Sequence, residues 1–156
     1  MPLALGFDFP FGSERFDTVY LSANGFLAFD DQDYEPCCDG EPIPLTDHLD
    51  GVIALAWSDL NPTLGGEVRT QTLSDPDRFI VTFDEVPWAY GSGRVTAQAI
   101  LFADGAIELH TASLPAGIVT TQGVEDPSGE TAWCDSDRVA SANFALVDDA
   151  IRVSAP

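Results

Sequence analysis

Gly51-Val-Ile-Ala-Leu-Ala-Trp-Ser-Asp-Leu-Asn-Pro62 constrains the fold of this chain more than any other stretch. Val52 to Trp57 is an unbroken apolar run, too short for a buried helix and bounded by turn formers. Such a run predicts a strand buried on both faces, with the other strands packed around it. Asp59, Asn61 and Pro62 then lead into a loop where side-chain oxygens can face solvent or an ion.

The remaining stretches also read as strands. Leu3 to Phe11 alternates loosely, with Phe7, Phe9 and Phe11 on one side, and Pro10 marks it as an edge strand. Thr18 to Ala23 and Phe26 to Phe29 flank Asn24-Gly25, a pair that supplies the two positive φ angles of a type I′ hairpin turn. Glu67 to Leu73, Arg78 to Phe83, Val95 to Phe102, Ala106 to Thr111 and Gly117 to Val124 follow, with turn formers between most of them. Phe144 to Val147 and Ile151 to Val153 read as a closing pair around Asp148-Asp149. Short strands at this spacing predict an all-β fold, an antiparallel β-sandwich with long acidic loops. Its core is expected to hold Phe7, Phe9, Val19, Leu21, Phe79, Val81, Phe83 and Leu101 around the Val52 to Trp57 strand. With no internal repeat and no low-complexity linker, the 156 residues form a single domain.

Charge excludes some partners. The chain has 26 acidic and 6 basic residues, a formal charge of −20, and every basic residue is arginine. It therefore repels phosphate backbones and anionic lipid, which argues against nucleic-acid binding. No apolar run approaches the roughly 20 residues of a membrane helix, so membrane insertion is not expected. Met1-Pro-Leu-Ala-Leu has neither the basic start nor the apolar core of a signal peptide. A cytosolic chain and a module cut from a larger secreted protein both remain open on this ground.

Several segments taken in order resemble the extracellular nidogen-like domain. They are Phe9-Pro-Phe11, Val19 to Phe29, Val52 to Trp57 with Asp59, Val95 to Glu108, and Gln122 to Gly129. Cys37-Cys-Asp-Gly-Glu-Pro42 is similar to a Cys-Cys-x-Gly-x-Pro loop of the version found in bacterial surface and secreted proteins. The resemblance implies a β-rich module of adhesive or matrix-like proteins, placed outside the cell or at its surface. It implies no catalytic residues.

Asp30 to Leu49 has no periodicity, and a loop this long in a compact domain is either functional or pinned down. It contains two of the three cysteines, Cys37 and Cys38; the third is Cys134. Adjacent Cα atoms lie about 3.8 Å apart, short of the roughly 5.5 Å that a disulfide prefers. A bridge from Cys37 or Cys38 to Cys134 is the easier geometry, while a strained vicinal bridge or no bridge are the alternatives. Asp31 and Asp33 alternate as in calcium loops, and Asp59 and Asp135 lie on loops of their own. These four are the candidate ligands for calcium, the only cofactor the sequence suggests. Pro36 stands where an EF-hand needs glycine, and so many acids make such pairs expected by chance. Tyr34, Trp88 and Tyr90 offer stacking faces for a ligand such as carbohydrate, although Trp88 reads better as core packing at a loop base.

No serine sits in a nucleophile elbow, nothing marks a carboxylate pair for glycoside cleavage, and His48 and His110 stand apart. The primary reading is a non-catalytic structural or adhesive module that assembles with other protein modules or copies of itself. The alternative is a calcium-assisted ligand-binding module, with a hydrolase a distant third.

Overall fold

The computed structural model describes residues 2–29, 38–47 and 49–154. Asp31, Asp33, Tyr34, Cys37 and His48 lie outside these residues. Among the described residues, eleven strands form two antiparallel sheets that pack face to face. The first contains β1 (Pro2–Phe11), β2 (Glu14–Ser22), β3 (Phe26–Ala28), β4 (Val52–Trp57), β9 (Thr121–Glu125) and β10 (Ala132–Trp133), in that spatial order. The second contains β5 (Glu67–Leu73), β6 (Arg78–Pro87), β7 (Arg94–Phe102), β8 (Ile107–Leu114) and β11 (Leu146–Val153), in the order β11-β8-β7-β6-β5.

The strand foreseen as central is interior to its sheet and buried at all six positions. Its ladder to β9 shifts register between Ala54 and Trp57, and the shift reverses which residues face inward. Ile53, Leu55 and Ala56 join the core between the sheets, whereas Val52, Ala54 and Trp57 form a second cluster with Phe26, Ala28 and Leu49. Trp57 packs on Phe26 with ring centroids 4.6 Å apart.

Phe9, Val19, Phe79, Val81, Phe83 and Leu101 are buried in the main core as expected. Phe7 and Leu21 pack only at its border. For Phe7 the cause is an irregularity in β1: its register against β2 shifts between Ala4 and Phe9, with Gly6 at φ +87°. Leu5 and Phe11 take the full burial instead.

Two local expectations differ from the structure. Ser22 pairs with Phe26, so the β2–β3 hairpin has a three-residue loop in which Gly25 alone has positive φ, at +79°. Asn24 is held by the exit of β4, accepting the Ser58 N–H on its carbonyl and the Leu60 N–H on Oδ1. The chain end likewise forms one strand, not a closing pair. β11 runs unbroken along β8, and Asp148 keeps the register at a φ of +52°.

Candidate functional site

Strand β9 is buried at all five positions because both its faces are covered. Val124 enters the main core on the inner face. Thr121, Gly123 and Glu125 alternate onto the outer face, where residues 40–45 lie along them as a strap. The Gly40 N–H donates to the Val119 carbonyl at 3.3 Å, and Thr121 Oγ1 donates to the Glu41 carbonyl at 2.7 Å. Ile43 packs over Gly123, and the Leu45 N–H donates to Glu125 Oε2 at 2.7 Å. Gly40 is required by close approach: a Cβ there would fall 2.4 Å from the Thr121 nitrogen and 2.6 Å from the Trp57 carbonyl oxygen. The chain then returns past the turn after β9, where the Gly51 N–H donates to the Asp126 carbonyl at 3.1 Å. The acidic loop is thus pinned down over its described length.

Glu125 is only 1% exposed. Burial pushes its pKa up to about 7 against the Leu45 hydrogen bond, and the Asp50, Asp47 and Asp126 carboxylates push the same way.

A second polar group joins the two sheets from inside. Gln122 Nε2 donates to Thr111 Oγ1 on β8 at 2.8 Å and to the Leu55 carbonyl at 3.3 Å. Gln122 Oε1 accepts from Arg138 Nη1 at 2.9 Å, and the same nitrogen reaches Asp149 Oδ2 on β11 at 2.6 Å. Arg138 Nε lies 3.2 Å from Asp135 Oδ2. The Asp149 carboxylate holds the guanidinium pKa above its ordinary value. These contacts use up the polar atoms of Gln122, so the group serves packing.

Residues 1–152 match the family model described as NIDO related. The chain belongs to the NIDO-related family. Neither a curated protein nor a solved structure matches it. The nidogen-like resemblance of the sequence is therefore sound, and it points to an extracellular, non-catalytic type of module.

Of the foreseen site residues, Cys38, Asp59, Trp88, Tyr90, Cys134 and Asp135 lie within the described part of this NIDO-related domain. Asp135 is exposed and committed to Arg138, while Asp59 is half-buried after β4, with its carbonyl accepting the Ala89 N–H at 2.8 Å. Among the described residues no group of three or more His, Cys, Asp or Glu converges as a metal site would need. Trp88 is 8% exposed and cannot serve as a stacking face, because Gly93, Gly117 and Gly91 close on its indole. Tyr90, two residues on, is 83% exposed. His110 lies on the exposed side of β8, with Nε2 2.9 Å from Glu108 Oε2.

The bridge from Cys37 or Cys38 to Cys134 is not made, for Cys134 is a free thiol. The strap explains this. Its path places Gly40 beside Thr121 and brings Ile43 to Cys134, whose Sγ lies 3.9 Å from the Ile43 carbonyl oxygen. Cys38 is disulfide-bonded, and not to Cys134. Burial, with Asp135 alongside, raises the Cys134 thiol pKa.

Sequence reasoning placed Gln122, Glu125 and Gly40 only within family-like segments and gave neither them nor Arg138 a structural role. The first two carried a signal, since a glutamine and a glutamate stand in a strand otherwise small and apolar.

Proposed function

We propose that this domain is a non-catalytic structural or adhesive module of a surface or secreted protein, working by assembly with other protein modules or copies of itself. Membership of the NIDO-related family over residues 1–152 carries the reading. The use of the buried polar side chains supports it. Gln122, Thr111, Arg138 and Asp149 bond to one another across the sheets, and Glu125 holds the strap. What remains for partners is the outside of the sandwich: loop tips and strand edges. Beads coated with the folded domain should cohere, or bind beads coated with neighbouring modules, without turnover of glycoside or peptide substrates. Beads that stay dispersed while a substrate is consumed would sink the proposal.

Tyr90 favours a second reading, a calcium-assisted module for a ligand such as carbohydrate. It projects from the β6–β7 connection next to Ala89, which bonds to Asp59. A Tyr90→Ala variant that loses glycan-array binding, and a domain that binds only with calcium, would support it. Binding unchanged by either would remove it.

A further inference from the structure

Among the described residues four strands end the two sheets, namely β1 and β10 in the first and β5 and β11 in the second. An open edge invites another chain, and proteins guard edges with proline, irregularity, shortness or charge. Three of the four are guarded. β1 carries Pro2, Pro10 and a register shift, and β10 has two residues. β11 bears Asp148-Asp149 in mid-strand, with Asp148 at φ +52°. β5 has no proline or glycine, and its register is unbroken from Glu67 opposite Asp84 to Leu73 opposite Arg78. Five of its seven residues are exposed. Its own two charges offset each other, with Arg69 3.1 Å from Glu67, and Arg69 also lies 2.9 Å from Asp84 on β6.

We propose that the outer edge of β5 is an interaction surface and that its occupant is β5 of a second copy, paired antiparallel about Thr70. The inference rests on the module reading and names its partner. Pairing about Thr70 sets Glu67 opposite Leu73, Val68 opposite Thr72 and Arg69 opposite Gln71, with Thr70 opposite itself. No like charges meet, and a threonine pair suits a cross-strand position. The contact is isologous and closes on itself, so it gives a dimer and not a fibre. The charge of −20 opposes any self-association at low salt, and screening relieves it. A seven-residue edge buries less than the roughly 1,200 Å² of a stable interface, so the pairing is weak and needs high local density.

The test is oxidative cross-linking in molar sodium chloride, with Cys37, Cys38 and Cys134 all replaced by alanine as background and Thr70→Cys or Ser128→Cys as the added thiol. Thr70→Cys should form disulfide dimers at least about ten-fold faster, because the pairing holds its thiols in contact. Equal rates would overturn the proposal. Sedimentation gives an independent readout without an added thiol: the unmodified chain should self-associate at high concentration and Thr70→Asp should remain monomeric. An unmodified chain that is monomeric throughout, or a Thr70→Asp variant that associates equally, would also overturn it. Those failures leave the module reading intact if the coated beads still bind other modules, whereas beads that bind nothing remove that reading itself.

Discussion

The Leu45 N–H donates to Glu125 Oε2 at 2.7 Å, docking the strap onto the end of a strand 80 residues further along the chain. The acceptor is a carboxylate held at a pKa of about 7 by burial and by three neighbouring acids.

Stability should therefore fall as pH rises. The folded pKa lies above the ordinary value of 4.5, so the fold favours protonated Glu125. Its contribution is full below pH 4.5, declines up to about pH 7 and is lost above that. The ceiling is about 3 kcal/mol at 1.36 kcal/mol per unit, and solvent screening lowers it. Urea unfolding of Glu125→Gln should show a flatter pH profile and higher stability at pH 8, in high salt to suppress the other acids. Identical profiles for variant and parent would remove Glu125 as the cause.

Gln122 joins the sheets, so its loss should cost more than its size. Gln122→Leu leaves Thr111 Oγ1 without its donor and Arg138 Nη1 without one acceptor, at a cost of about 2–3 kcal/mol. Adding Thr111→Val should recover part of that, because the hydroxyl is then gone as well. Strict additivity in a double-mutant cycle would show that the two do not interact.

Gly40→Ala should lift the strap. The new Cβ meets main-chain atoms of both β9 and β4, which cannot rotate away, and a loss of about 1–3 kcal/mol is expected. Hydrogen exchange at the Leu45 amide should accelerate in the variant. An unchanged Leu45 amide would mean that Gly40 does not seat the strap.

Strand placement was legible because each strand carries its own pattern. The apolar run of β4 and the alternation of β6 and β7 needed no knowledge of neighbours. Bulges were not legible, since the Ala54–Trp57 shift that turns Trp57 outward depends on how β4 meets β9. The strap was half legible. The loop's length said that it is either functional or pinned down, yet what pins it is the backbone of Gly40 and the side chain of Glu125, which lie far apart in sequence. Trp88 and Tyr90 show the same limit: two aromatics on one connection look alike in sequence, and only the glycines folded against Trp88 separate them.

Whether the acids form a coat or a site separates a structural module from a calcium-assisted one. The deciding measurement is the unfolding midpoint in sodium, magnesium and calcium chloride at matched ionic strength. A structural module with a solvated acidic surface should gain stability gradually with salt as the Debye length shrinks from about 10 Å at 0.1 M to about 3 Å at 1 M. Its magnesium and calcium curves should coincide. A rise that saturates at low calcium concentration and is absent with magnesium would contradict this, because it would mark a specific site among the acidic loops.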